Sequence, residues 1–397
     1  HGLRTPMACS AAFFGLGCLV SAIAPTLPIL LAGRLMQGLG GGGLVAMGFV
    51  AISVLFPRRY VARAMAAVST LWGVSSFLGP LIGGIFVEFA SWRWGFAFFG
   101  AQAALLALWI ASRGTITRPP QNGASSAIPV GRLALLSLGV LSVAYAGVEV
   151  TLFRTSVLVV LGLVFLDLFL ALDDRAGADR QLPKKPVNFR RPAGAALVMV
   201  FSVSADTIAL TAFGPLFMTA IHGISPLSAG YVIACSSIGW TFAALLFSGS
   251  PECRDGKMIA AGMTIVTASI AGLAYAIPSG PIWLIALFAT LEGGGFGLAW
   301  TFILRRTTAL SPSTEAERIA GAIPTIQRLG YAVGAAYIGI VANASGLVEA
   351  IPEIEAAYVA RQVFVACLPF AALGLMAMLA LLQRTDKHLT GNARSHN

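Results

Sequence analysis

Charge is what this 397-residue chain has least of: 11% of its residues are Asp, Glu, Lys or Arg, while 57% are hydrophobic. Soluble domains carry about 25% charged residues, and a chain this apolar cannot hide its side chains in a core surrounded by water. A soluble globular protein is excluded, and an all-α integral membrane protein is the class the composition defines. Cysteine and histidine are sparse too. The five cysteines are scattered, with Cys9, Cys18, Cys235 and Cys367 inside apolar runs and Cys253 in a turn; neither a disulfide framework nor metal-ligand spacing follows. His1, His222, His388 and His396 fall at ends or loops. With no H-E-x-x-H or paired-histidine motif, no metal site is expected, and neither is an enzyme. No cofactor is expected either. Gly38-Leu39-Gly40-Gly41-Gly42-Gly43 spells G-x-G-x-x-G, but a dinucleotide site needs a strand before it and a helix opening after it. Here the glycines sit inside an apolar helix.

What the chain does have is long apolar runs. About 20 apolar residues cross the hydrocarbon of a bilayer, and twelve such stretches are predicted: 6–24, 27–55, 62–89, 93–112, 132–151, 155–174, 193–221, 226–249, 257–278, 281–306, 317–342 and 362–384. The net charge of +10 comes from basic residues in short loops at every second turn, a pattern of membrane orientation and not of nucleic-acid binding. Of the 26 Lys and Arg residues, Arg93, Arg154 and Arg361 fall on one side, Arg34 and Arg328 lie within spans, and the rest share the other side. The positive-inside rule puts both ends of the chain in the cytoplasm, in a multi-pass protein of the cell (inner) membrane.

Composition also divides the chain. Residues 1–112 hold four spans, and 113–131, with Pro119-Pro120 and Gly123, read as a cytoplasmic linker. Two further spans occupy 132–174. The most charged stretch, Asp173 to Pro192, mixes Asp173, Asp174 and Asp179 with Lys184, Lys185, Arg190 and Arg191, and 175–192 reads as a second cytoplasmic linker, a solvated hinge. Six spans fill 193–384, and 385–397 is a cytoplasmic tail.

Four ionisable residues lie deep in spans. An arginine there costs about 2.5–3.5 kcal/mol on insertion scales, so Arg34 must face protein, water or a partner charge. Asp206 falls near the middle of the seventh span among Ser202, Ser204 and Thr207; its proton exchange depends on access, unless those hydroxyls merely satisfy it. Glu292 lies beside Gly293, Gly294 and Gly295, with Arg328 as a candidate counter-ion; a static pair and a proton relay are both open. Glycines four apart, Gly38 with Gly42 and Gly79 with Gly83, predict flat helix faces where another backbone approaches closely. Among the aromatics, Phe213, Trp240 and Trp300 are candidate substrate-pocket residues, against the plainer reading that they face lipid or neighbouring helices.

The halves echo each other. Arg34 to Gly41, followed by a basic turn, has a counterpart in Ala289 to Gly297 followed by Arg305-Arg306. Gly330, Gly334 and Gly339 answer Gly79 and Gly83 more weakly. Internal symmetry of this kind marks transporter folds with sites near the midplane, although Gly-rich helices also resemble one another by chance.

These residues resemble the major facilitator superfamily, and within it the fourteen-helix drug:proton antiporter branch. Arg34-Leu35-Met36-Gln37-Gly38-Leu39-Gly40 is similar to the family's fourth-helix motif, whose arginine is implicated in proton coupling. Gly79-Pro80-Leu81-Ile82-Gly83-Gly84 resembles the antiporter motif of the fifth helix, which packs between the bundles and limits leakage; Ser75 stands where that motif has a further glycine. Ser91-Trp92-Arg93-Trp94-Gly95-Phe96 resembles the outer turn that follows, and His1-Gly2-Leu3-Arg4 the end of the cytoplasmic signature between the second and third helices. The resemblance implies that two helices precede His1, that 132–174 is the branch's extra pair, and that two bundles rock about a midplane cavity. It further implies a monomeric secondary transporter, with a small amphipathic compound and protons as its partners in the lipid bilayer. Arg34, Asp206, Glu292 and Arg328 would then couple protons, Gln37, Gly38 and Gly42 would build the motif helix, and Gly79, Pro80, Gly83 and Gly84 would seal the interface. A metabolite symporter of the same fold and a non-transporting receptor or scaffold are the alternatives.

Overall fold

A membrane-spanning backbone must satisfy its own hydrogen bonds, which an open chain does only as helix. The computed structural model describes residues 3–56, 58–112, 129–347 and 352–394. They form twelve α-helices: α1 (Arg4–Ile23), α2 (Leu27–Leu55), α3 (Arg58–Phe89), α4 (Trp92–Ser112), α5 (Val130–Ala146), α6 (Leu152–Arg175), α7 (Pro192–His222), α8 (Pro226–Phe247), α9 (Asp255–Ser279), α10 (Ile282–Ala309), α11 (Ser313–Ala344) and α12 (Glu353–Arg394). Every predicted run is helical. Among the described residues, nine helices are long and apolar enough to cross a membrane, while α5 is a shorter apolar helix. The two others are α3, many of whose side chains lie outside the described residues, and α11, a polar helix that carries Glu315, Arg318, Gln327 and Arg328.

Local signals set the ends. Proline occupies the first turn of α2, α7 and α8, where its missing N–H leaves no bond unmade. Ser225 caps α8 by accepting from the Ser228 amide at 3.2 Å. Gly223 ends α7 in the left-handed region, at φ +62°. Two ends differ from expectation. The fifth helix stops at Ala146, and Asn343 Nδ2 donates to the Gly147 carbonyl at 2.6 Å just past it. The last helix begins nine residues before the predicted run, with Glu353 and Glu355 in its first turn, where the helix dipole favours acids.

The chain divides into two compact units, His1–Ser125 and Ser126–Asn397. In the first, α1 packs between α2 and α4. In the second, α7 is central: α8, α9, α10, α11 and α12 all touch it, and its residues from Ala193 to Met218 are mostly buried. The α5–α6 pair joins this unit through α11. Of the first linker, residues 113–128 lie outside the described residues.

The stretch after α6, expected as a solvated hinge, is tied down. The Asp173 carboxylate accepts from Arg132 at 2.5 Å and from the amides of Gln181 and Leu182, both at 2.9 Å. Leu182 is buried, and Arg180 bonds Glu315 of α11 at 2.7 Å. A buried carboxylate with three donors fixes the start of this stretch, while Lys184, Lys185, Arg190 and Arg191 remain exposed.

Candidate functional site

Each unit holds a polar cluster deep among its apolar helices. In the first, Arg34 and Gln37 lie one turn apart on α2, so their side chains meet: Arg34 Nη1 donates to Gln37 Oε1 at 2.7 Å. Gln37 is buried and donates in turn to the Gly17 carbonyl at 3.1 Å and to Ser21 Oγ at 2.9 Å, both on α1. This chain of bonds runs α1 to Gln37 to Arg34 and holds the guanidinium at one edge. Its face lies 5.7 Å from the Phe96 ring of α4. Arg34 borders a cavity of about 580 Å³ whose walls include Phe14, Phe86, Trp92, Phe96, Phe99 and Gly83. Among the described residues no acidic residue lines it.

The glycines divide unexpectedly. Close packing of α2 on α1 uses Gly33, Gly40 and Gly43: an added Cβ would strike Ser21 at Gly33, the Phe14 backbone at Gly40 and Ser10 at Gly43. At Gly38 and Gly42, by contrast, a Cβ would meet nothing within 4 Å among the described residues, where the close approach predicted for that pair is made by its neighbours instead. The same open space surrounds Gly79 and Gly83. Gly38 and Gly83 line the cavity, and Gly84 is buried. The Pro80 side chain lies outside the described residues.

In the second unit, Asp206 of α7 and Glu292 of α10 are each 2% exposed and lie within electrostatic range of one another. Ser236 of α8 donates to Glu292 Oε2 at 3.3 Å. The hydroxyls expected around Asp206 do not serve it. Ser204 and Thr207 donate to the Val200 and Val203 carbonyls of their own helix, at 2.8 and 2.7 Å, while Ser202 Oγ and Asp206 Oδ1 are buried with no hydrogen-bond partner. Two orphaned polar atoms one turn apart in a packed core require an explanation from function or from water. Tyr331 of α11 and Cys367 of α12 lie within electrostatic range of both acids. Arg328 does not come to Glu292: it is exposed, and among the described residues no ion pair joins either acid to a cation. An exposed side chain of α11 does not reach an acid enclosed in the core beside α8.

Very close helix contacts hold these acids in place. A Cβ on Gly293 would strike the Ser236 carbonyl, one on Gly239 the Thr290 carbonyl, and one on Gly297 would lie 2.6 Å from the Trp240 carbonyl. Where α11 packs on α7, a Cβ added to Gly330 would lie 2.6 Å from the Phe201 carbonyl, and one on Gly334 would strike the Ala205 backbone. Trp240 and Trp300 come together with Phe296 between α8 and α10, ring centroids 4.7–6.0 Å apart. Phe213 stacks instead on Phe217 at 6.0 Å. Ser236, Tyr331 and Cys367 carried no sequence signal beyond being single polar or sulfur residues in apolar helices.

Gly-on-backbone helix contacts and ionisable groups deep in apolar helices define a class: a helical membrane transporter. Residues 1–335 match the family described as Major Facilitator Superfamily. The chain belongs to that superfamily; it is a transporter, not an enzyme. A protein of Mycobacterium tuberculosis named "Probable multidrug-efflux transporter" is 29% identical over 400 residues, which cover 98% of this chain and 82% of that one. "Multidrug resistance protein 3" of Bacillus subtilis is 25% identical over 305 residues, 73% of this chain and 57% of its own. Among solved structures, the POT family transporter PepTSo superposes with a TM-score of 0.64 at 16% identity, covering 98% of this chain and 85% of that one. A bacterial homologue of the human lysosomal transporter Spinster, inward-facing and unoccupied, gives 0.60 at 16%, covering 96% and 84%. At such identities the likeness shows the fold alone.

Proposed function

We propose that this transporter exports small amphipathic compounds in exchange for protons, by alternating access of two bundles about a midplane cavity. The observation that carries the reading is the pair Asp206 and Glu292, two acids sealed in the second unit without a cation partner among the described residues. A carboxyl walled off from water and cations exchanges its proton only when the protein opens a path to it, which ties protonation to conformation. Asp206 and Glu292 are the proton carriers in this scheme, and Arg34 tunes or relays the proton. Gly79, Pro80, Gly83 and Gly84 seal the bundle interface. Trp240, Trp300 and Phe213 contribute aromatic wall. The efflux name of the Mycobacterium tuberculosis relative favours the outward direction. All twelve helices cross the membrane in this reading, as a monomer with both ends of this chain cytoplasmic.

The test is efflux of a fluorescent dye from proteoliposomes under an imposed pH gradient. Gradient-driven loss is expected for the wild type, and Asp206→Asn with Glu292→Gln is expected to uncouple dye movement from the gradient. Full coupled efflux in the double variant sinks the carrier assignment. Gradient-driven accumulation of the dye where efflux is expected sinks the exporter.

A further inference from the structure

The first unit's cavity has a chemistry that the proton-coupling role of Arg34 leaves unused. Its walls are aromatic, with Phe14, Phe86, Phe96 and Phe99 among them, and its volume of about 580 Å³ falls within the roughly 300–1,000 Å³ typical of small-molecule sites. Among the described residues Arg34 is its only charged lining residue. Among the described residues Arg34 has no ion-pair partner; its contacts are the neutral Gln37 amide and the Phe96 ring. A guanidinium carries five N–H donors, and a single bond to Gln37 engages only one. Gln37 is itself anchored on Gly17 and Ser21, so the donors are pre-positioned and little ordering remains when a ligand arrives.

A cavity with an uncompensated cation, aromatic walls and no acid repels a lipophilic cation at the guanidinium and accepts an anion there. We propose that it binds an amphipathic anion: a flat aromatic or alicyclic body against Phe96 and its neighbours, with a carboxylate or sulfonate on Arg34. The anion is either a free compound or the headgroup of an acidic lipid. That the free compound is cargo rests on the efflux reading; that the cavity selects negative charge does not.

Equilibrium binding without any gradient tests it. Three naphthalenes of matched body are titrated against the purified transporter in a neutral detergent, with tryptophan quenching as the readout: 2-naphthalenesulfonate, 2-naphthalenemethanol and 2-naphthyltrimethylammonium. The sulfonate is expected to bind about 10-fold or more tighter than the ammonium ion, the alcohol lying between. Arg34→Gln is expected to bring the sulfonate down to the affinity of the alcohol while leaving the alcohol unchanged, so that the neutral ligand certifies the fold. Equal affinities across the three charges, or an unchanged sulfonate affinity in R34Q, overturn the proposal. Should R34Q lose all three ligands, Arg34→Lys decides: a retained sulfonate preference supports the site, and its loss refutes it.

Repeating the titration in nanodiscs separates the two sources. Competition by added phosphatidylglycerol assigns the anion site to a lipid headgroup, and sulfonate binding indifferent to that lipid assigns it to a free compound. Failure of proton coupling in the dye assay leaves these rankings untouched, so the two readings fall separately.

Discussion

The two units keep their ionisable groups in opposite ways. The first holds a cation, Arg34, at the rim of an open cavity and steadies it with a neutral amide. The second holds two acids, Asp206 and Glu292, in a core where helices meet glycine against carbonyl. A charge in open space is available to a ligand, while an acid behind packed backbone is available only when the packing changes. Under the proposed roles, recognition and coupling face different physical constraints.

The largest expected effect breaks the tight side of that contrast. Gly293→Val introduces side chain where the Ser236 carbonyl already sits, so α8 and α10 must separate beside Glu292. The cost is expected at roughly 3 kcal/mol, the upper end for overpacking, and is read as a lowered melting temperature in detergent and poor recovery of folded protein. A melting temperature equal to wild type would mean that α8 and α10 are not in backbone contact. No comparable penalty is expected at Gly79, where added carbon meets open space.

A second prediction concerns the strap after α6. Asp173→Ala removes the acceptor of Arg132 and of two backbone amides. Arg132 keeps its bond to the Asp179 carbonyl and some solvent, so the loss is smaller than for a wholly buried pair, about 2–3 kcal/mol confined to this segment. Hydrogen exchange should show faster amides at Gln181 and Leu182, with the α7 core unaffected. Unchanged exchange there would return the strap to the solvated hinge that its charges suggest.

How far the sequence carries depends on which contacts decide each feature. Apolar runs are one-dimensional, so all twelve helices were legible, most within a few residues at each end. Misreadings occurred where a distant partner intervenes. Arg180 reads as part of a solvated linker because its partner Glu315 lies 135 positions away, while Lys184, Lys185, Arg190 and Arg191 are exposed as expected. The depth of Asp206 and Glu292 could be counted along their helices, and burial follows from depth. Their partners could not, since Ser236, Tyr331 and Cys367 come from three other helices. Arg34 with Gln37 was readable as a one-turn pair, but the cavity beside them depends on side chains from α1, α3 and α4.

The smallest predicted effect is also the sharpest, because it compares two glycines two residues apart on α2. Sequence spacing favours Gly42, paired with Gly38, as the packing position; the structure places Gly40 against Phe14 and leaves Gly42 facing open space. Gly40→Ala must displace the α1 backbone and is expected to cost about 1–3 kcal/mol. Gly42→Ala meets nothing and gains helix propensity, up to about 1 kcal/mol, which offsets small losses elsewhere. Melting of the two single variants side by side therefore orders Gly40→Ala below wild type and Gly42→Ala at or slightly above it. The reverse order would rotate α2 by about half a turn relative to α1, because residues two apart point about 200° away from each other. That rotation would also carry Gln37 away from Gly17 and Ser21, and Arg34 would lose the anchor on which its place at the cavity depends.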